Sequence, residues 1–444
     1  LGCYTDKVLM IKELEGRLIG TYRHAKRVVI DSRQVEEGDL FVAIKGSRYD
    51  GHDFVDEAFS RGAYGVLVEK EVKVPEGRFA LVVKDTLSAL RMLALKKRKA
   101  FSGKVIAVAG SAGKTTTKEM ISFLLSKLGK VCKTPKNLNS QIGVPLSMAN
   151  FDDDCQFWVV ELGASQKGDV AKLVDLVKPH VRVITAIGEE HLETFGCLDD
   201  VVMGNGEVFK DMDQDHFGIC PHYVSHCYEI PNKITFGEGS DFFAENVRIN
   251  KEGVFFRVRG EEVFIPIPSL AVVENALCSF AVLESIGLNW KSFKDYLKNF
   301  HPVEGRFKTY QLGKWFVIDD SYNANPPSVK KALQTLSKFE GFKVAVLGDM
   351  LELGEDSPRY HREVGKLCHQ LGINFSLFYG EQMRFAWEEC ISMGCKAQYF
   401  ADIVSLVECL EEFLYVEAVV LLKGSRGMRL ERVLEALQNK KFRI

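Results

Sequence analysis

Short apolar, β-branched runs recur along this chain, each followed by glycine or polar residues and then a stretch with apolar positions at helical spacing. In the first hundred residues, Val28-Val-Ile30, Leu40-Phe-Val-Ala-Ile44, Val66-Leu-Val68 and Ala80-Leu-Val-Val83 read as strands. The segments Asp53 to Arg61 and Leu87 to Ala100 read as helices, and Phe101-Ser-Gly103 reads as a boundary. From Lys104 the pattern becomes strand–helix–strand: Phe157-Trp-Val-Val-Glu-Leu162 and Val181-Arg-Val-Ile-Thr185 flank a helix over Asp169 to Val177. Such alternation predicts a mainly parallel sheet covered on both faces. Between about 215 and 268 strands and turns take over, with Asn250-Lys-Glu-Gly253 as a hairpin turn. Leu270 to Ile286 returns to helix, closed by Gly287.

A third α/β unit starts near Phe307, with strands Trp315-Phe-Val-Ile318, Val344-Ala-Val-Leu347 and Ala418-Val-Val-Leu-Leu422. Ligands of open α/β sheets sit at the carboxyl ends of the strands. Asp319-Asp-Ser-Tyr322, Gly348-Asp-Met350 and Lys423-Gly-Ser-Arg-Gly427 fall at those ends. The expected fold class is α/β with three domains: 1–102, then a central P-loop parallel-sheet ATPase-like domain over 103–306, then a Rossmann-like domain over 307–444.

Composition narrows the function classes. The formal net charge is −2, which gives no reason to expect nucleic acid or an anionic membrane as partner. No apolar run approaches the ~18 residues needed to span a bilayer. The opening Leu1-Gly-Cys-Tyr-Thr-Asp lacks a basic region followed by an apolar core, so no signal peptide is expected, and its lack of an initiator methionine suggests a trimmed start. A cytoplasmic protein is expected, without membrane insertion. The 11 cysteines form no C-x-x-C pair and are odd in number, so reduced thiols are expected. Cys220, His222, His226 and Cys227 invite a zinc reading, but Pro221 and Pro231 break the segment and C-x-H crowds two ligands.

The most specific chemistry lies at residues 105–117. An apolar strand enters Gly110-Ser-Ala-Gly-Lys-Thr-Thr116, and a helical pattern leaves it. Strand, glycine loop and helix N-terminus make a phosphate cradle of backbone N–H groups. Gly110, Ser111, Ala112, Gly113, Lys114, Thr115 and Thr116 form that cradle; Lys114 would neutralise the terminal phosphates and the Thr115 hydroxyl would hold Mg²⁺. The loop is tighter than the common G-x-x-x-x-G-K-[ST], which would need glycine where this chain has Val108.

Other polar groups sit at strand ends. Glu161 reads either as a ligand of the nucleotide's Mg²⁺ or as an acid facing solvent. His191 reads as a metal ligand or as an ordinary loop histidine. Arg306, between the second and third units, reads as a phosphate clamp or as an interdomain ion pair.

Taken together, these motifs resemble the Mur ligases over about residue 25 to the C-terminus. The first domain contributes Asp31-Ser-Arg33, Gly38-Asp-Leu-Phe-Val-Ala-Ile-Lys-Gly46 and Asp50-Gly-His-Asp-Phe54. The middle contributes Gly110 to Thr116, Asn137-Leu-Asn139, Ile142-Gly-Val-Pro-Leu146, Glu161-Leu-Gly-Ala164 and His191-Leu-Glu193. The third domain contributes Asp319-Asp-Ser-Tyr-Asn-Ala-Asn-Pro326, Leu347-Gly-Asp-Met-Leu-Glu-Leu-Gly354 and Lys423-Gly-Ser-Arg-Gly-Met428. These last segments point to the branch that adds D-alanyl-D-alanine to UDP-N-acetylmuramoyl-tripeptide in peptidoglycan precursor synthesis.

The resemblance implies an ATP- and Mg²⁺-dependent amide ligase working through an acyl phosphate, as a monomer. Cations must offset the repulsion when a carboxylate attacks a polyphosphate, and Lys114, Arg306 and Mg²⁺ are the expected ones. It also implies that Ser32 and Arg33 serve the UDP-sugar end, and that Thr115 and Glu161 hold one Mg²⁺ and His191 a second. Asp320 would contact the ATP ribose, Tyr322 would lie near the adenine, and Asn323 and Asn325 would border the dipeptide pocket. As plain sequence, those two asparagines also read as turn residues before Pro326.

Three segments depart from the family pattern. Asn205 stands where relatives usually carry a lysine that CO₂ carbamylates to help hold the second Mg²⁺. The neutral amide cannot be carbamylated, and Glu189 and Glu190 supply negative charge beside His191 instead. Ala271-Val272 stands where relatives usually read His-Asn, the asparagine lying near the adenine, and Cys220-Pro-His-Tyr223 stands where they usually have an Asn-x-Asp-Asp-like run. The rival readings are a non-catalytic homologue that binds the UDP-precursor or a partner, and a folylpolyglutamate-synthetase-like ligase.

Overall fold

The computed structural model describes residues 11, 14–46, 48–412 and 416–441. The opening hexapeptide, read above for a leader, lies outside them. The chain divides into two compact units. The first comprises residues up to Ala107, Leu125–Gly163 and Ala171–His180; the second comprises Val108–Leu124, Ala164–Val170 and everything from Val181 onward.

In the first unit a five-stranded sheet runs in the order Arg17–Gly20, Phe79–Val82, Gly65–Val68, Leu40–Val42, Val28–Val29. All its neighbours are parallel except the Arg17–Gly20 edge, which pairs antiparallel with Phe79–Val82. The strand Gly65–Val68 is buried throughout because both faces are covered, which explains its unbroken apolar run. One face packs against helix Thr86–Ala100 through Leu90 and Leu93, and the other against Val55, Ala58 and Phe59. The strands Val131–Lys133 and Phe157–Glu161 of this unit are also parallel.

Cys132 and Cys155, 23 residues apart, are joined by a disulfide. This corrects the expectation of thiols that are all reduced. Parallel pairing of Val131–Lys133 with Phe157–Glu161 brings the two cysteines to a Cα separation of 5.8 Å, which spacing along the chain does not reveal. The other described cysteines are free.

In the second unit, Val181–Ile184, Phe217–Pro221 and Asn232–Phe236 run parallel. A three-stranded antiparallel sheet follows: Glu245–Asn250, Gly253–Val258 and Glu261–Ile265. Its first hairpin turns at Asn250, whose side chain accepts from the Glu252 and Gly253 N–H groups. Helix Leu270–Ser285 is capped by Ser269 and buried on most sides, so it reads as nearly continuous apolar sequence.

The last sheet has six strands in the order Lys308–Leu312, Trp315–Asp320, Ala418–Lys423, Phe342–Gly348, Phe375–Tyr379, Ala397–Phe400. Only its first strand is antiparallel. The two central strands, Ala418–Lys423 and Phe342–Gly348, end in Lys423 and Gly348, and Trp315–Asp320 ends in Asp320. Thus the polar strand tails read from the sequence lie together at one edge of the sheet.

Candidate active site

The phosphate loop begins where strand Lys104–Ala109 ends and closes where helix Lys114–Leu125 starts. Gly110 has φ of 128°, and a Cβ there would meet Thr185 Oγ1 at 2.5 Å, so the loop can bend and pack only with glycine. Thr185, just past the end of strand Val181–Ile184, donates its hydroxyl to the Ala112 carbonyl. Ser111 N–H donates to the Ala186 carbonyl at 2.7 Å, and Ser111 Oγ accepts from Gly188 N–H at 3.2 Å. Thr117 Oγ1 donates to Asn275 Oδ1 at 3.1 Å, which ties the new helix to helix Leu270–Ser285. The loop is thus pinned on several sides before any ligand arrives.

Lys114 Nζ donates to the Gly110 carbonyl and lies 3.7 Å from Glu190 Oε2. Thr115 is buried, 4% exposed. Asn205, 1% exposed, is fully used: its Oδ1 accepts from Gly110 N–H at 3.0 Å, and its Nδ2 donates to Glu190 Oε1 at 3.2 Å and to the Val201 carbonyl at 3.1 Å.

His191 caps a short helix with φ of 47°. Its Nδ1 pairs with a Glu352 carboxylate oxygen. A carboxylate on one ring nitrogen fixes the tautomer and leaves Nε2 basic, the usual support of a metal-ligating histidine. Sequence reading missed Glu352, although it sits in the Leu347-to-Gly354 segment already singled out.

Glu161 ends its strand 2% exposed, and its Oε1 accepts from Asn139 Nδ2 at 2.9 Å. The solvent-facing reading is therefore wrong: the strand end is buried, and an asparagine from Asn137-Leu-Asn139 holds the carboxylate. Ser32, also in the first unit, donates to Glu57 Oε2 at 2.7 Å, while Arg33 is exposed and forks onto Asp31.

Arg306 forms no ion pair among the described residues. Its guanidinium lies over the Tyr322 ring at 4.2 Å, with Arg426 over the same ring at 5.7 Å. Its buried Nε has no protein acceptor. That orphaned donor suits an anion.

Asp320 Oδ2 accepts from Lys423 Nζ at 2.6 Å, both groups being buried. Burial pushes the Asp320 carboxyl above its ordinary range, and the Lys423 ammonium works against that push. Lys423 also donates to the Asn323 carbonyl at 2.9 Å, which fixes the backbone of the motif while the Asn323 side chain stays exposed. Asn325 is a helix cap rather than a mere turn residue: it forms a capping box with Ser328 at the start of helix Pro326–Ser337. Its Nδ2 also donates to the Ser111 carbonyl at 3.2 Å, so the Asp319-to-Pro326 motif touches the phosphate loop.

Two departing segments have structural roles. Tyr223 is 58% exposed, yet its hydroxyl accepts from Ile187 N–H at 2.8 Å and donates to the Ile187 carbonyl at 3.0 Å. Val272, where the resemblance leads one to expect asparagine, is 2% exposed. Cys220, His222, His226 and Cys227 do not gather as a metal site; among the described residues only the exposed Asp213 and Asp215 and the half-buried His216 cluster in that way.

Known proteins bear on this site directly. Three family models match in series: "Mur ligase family, catalytic domain" over residues 24–101, "Mur ligase middle domain" over 108–283 and "Mur ligase, glutamate ligase domain" over 305–426. The UDP-N-acetylmuramoyl-tripeptide–D-alanyl-D-alanine ligase of Escherichia coli (strain K12) is 34% identical, with 96% of each chain covered. Among solved structures, MurF from Acinetobacter baumannii superposes with a TM-score of 0.89 at 30% identity, covering 98% of this chain and 99% of that one. MurF ligase from Thermotoga maritima in complex with ADP gives a TM-score of 0.83 at 30% identity, covering 94% and 98%. With three family models matching in series and relatives of 30% identity or more over nearly the whole chain, the chain belongs to the Mur ligase family, as a ligase of the MurF type.

Proposed function

We propose that this protein joins D-alanyl-D-alanine to UDP-N-acetylmuramoyl-tripeptide at the expense of ATP, through an acyl phosphate, in the cytoplasm. Relatives bearing that activity in their names match almost the whole chain. The observation that carries the reading furthest is the Asn325 Nδ2 bond to the Ser111 carbonyl, since it seats the proposed dipeptide motif on the proposed ATP loop.

In this reading residues 1–102 take the UDP-precursor, with Ser32 and Arg33 at its UDP-sugar end; 103–306 take ATP; and 307–444 take the dipeptide beside Asn323 and Asn325. The Gly110-to-Thr116 amides cradle the triphosphate, and Lys114 leaves the Gly110 carbonyl to neutralise its end. Thr115, Glu161 and His191 would hold Mg²⁺, and the Glu352-oriented imidazole and the Asn139-held carboxylate suit that task. When bound, Mg²⁺ supplies charge neutralisation on the phosphate oxygens. Arg306 presents its unpaired Nε to the transferred phosphoryl group. Asp320 and Tyr322 flank the nucleoside. The amine of the dipeptide then displaces phosphate from the activated carboxyl.

Phosphate release with UDP-tripeptide, ATP and D-alanyl-D-alanine, omitting each in turn, tests the proposal. Release that needs all three is expected; release indifferent to the dipeptide would overturn it.

A further inference from the structure

The structure places a buried carboxylate, that of Glu190, beside the phosphate loop. Glu190 is 7% exposed. Among the described residues its carboxylate has one hydrogen bond, from the neutral Asn205 amide, and Lys114 Nζ stands off at 3.7 Å. A buried anion so lightly compensated carries a large desolvation cost. Bringing a polyphosphate onto the same loop adds like charge, and Lys114 cannot serve both anions fully. A cation shared between the carboxylate and the phosphate oxygens removes both problems, and oxygen donors are what a hard divalent ion takes.

We propose that Glu190 is a ligand of the divalent cation that accompanies the nucleotide, with Asn205 as its positioning residue. The inference rests on the ATP-dependent reading above. Asn205 is suited to this because a single amide grips Gly110 N–H with its oxygen and Glu190 with its nitrogen. Loop and carboxylate therefore keep one spacing, anchored to helix Leu198–Gly206 through the Val201 carbonyl. Glu190 passes from Lys114 to the cation as Lys114 passes to the phosphate, so each charged group keeps a partner of opposite sign.

The test is Mn²⁺ binding followed by electron paramagnetic resonance, with the full chain and a non-hydrolysable ATP analogue. Glu190→Gln keeps an oxygen for the Asn205 amide and nearly the same volume. Mn²⁺ affinity in the presence of the analogue should fall by about tenfold or more in this variant. Metal-free analogue should bind Glu190→Gln at least as tightly as wild type, because one negative charge has left the loop. Asn205→Ala should shift Mn²⁺ affinity in the same direction. Unchanged Mn²⁺ affinity in Glu190→Gln would overturn the proposal, as would an equal loss of metal-free nucleotide binding, the mark of a merely structural role. Wild type that releases phosphate yet shows no nucleotide-stimulated Mn²⁺ binding would overturn it too, while leaving the ligase reading intact.

Discussion

Lys423 and Asp320 form a buried ion pair at 2.6 Å across two adjacent parallel strands, Ala418–Lys423 and Trp315–Asp320, whose last residues are in register. Each group makes the burial of the other tolerable. Replacing one strands the other without compensation, which costs about 3–5 kcal/mol. Lys423→Met is therefore expected to lower the urea midpoint sharply. The double variant Lys423→Met, Asp320→Leu should recover most of that stability, because no charge is left buried. A single variant as stable as wild type would contradict the pairing.

Lys114→Ala removes the one cation on the phosphate loop itself. Phosphate release should fall by about 10²–10³-fold, with the unfolding midpoint little changed. Undiminished turnover would mean that the loop does not handle the transferred phosphate.

Asn325→Ala removes a helix cap and the bond to the Ser111 carbonyl together. The cap accounts for about 1 kcal/mol of stability. Asn325→Ser can still cap but does not span to Ser111, so it should retain stability while losing turnover with D-alanyl-D-alanine. Equal activity in Asn325→Ser and wild type would detach the two motifs functionally.

Asn205 carries no amine, and both ends of its amide are occupied. Turnover should therefore be the same in CO₂-depleted buffer and with added bicarbonate. A strong rise with bicarbonate would refute this.

Burial holds the His361 imidazole below the ordinary histidine value of 6.5. Its Nε2 accepts from Met350 N–H at 3.0 Å, and its Nδ1 lies 2.8 Å from the Ser357 carbonyl, as a neutral ring requires. The unfolded chain binds this proton at higher pH than the folded one, so stability falls as pH drops below 6.5 toward the folded value. Asp349, raised by burial, acts with the opposite sign from 3.8 upward. Unfolding midpoints measured at about pH 7.5 and about pH 5.5 should differ more in wild type than in His361→Asn.

Much of this fold is legible in the pattern of apolar runs. The strands at Gly65–Val68, Phe157–Glu161 and Ala418–Lys423 are buried on both faces, so their sequences are continuous and unmistakable. The edge strand Lys308–Leu312 is not, because Lys308-Thr-Tyr-Gln-Leu312 alternates weakly and depends on antiparallel pairing with Trp315–Asp320. Likewise Glu352 behind His191 and Asn139 behind Glu161 are ordinary polar residues until the fold sets them against their partners.

The sequence by itself determined the α/β class, the phosphate loop around Lys114 and the polar strand ends, since each is a local pattern whose physics acts within a few residues. Only the tertiary structure decided that Asn205 binds Gly110 and Glu190, that Lys423 neutralises Asp320, that Asn325 reaches Ser111 and that Cys132 meets Cys155. Hydrogen bonds and ion pairs act over a few ångströms in space. Partners that lie tens to hundreds of residues apart along the chain meet only after sheets and helices have packed.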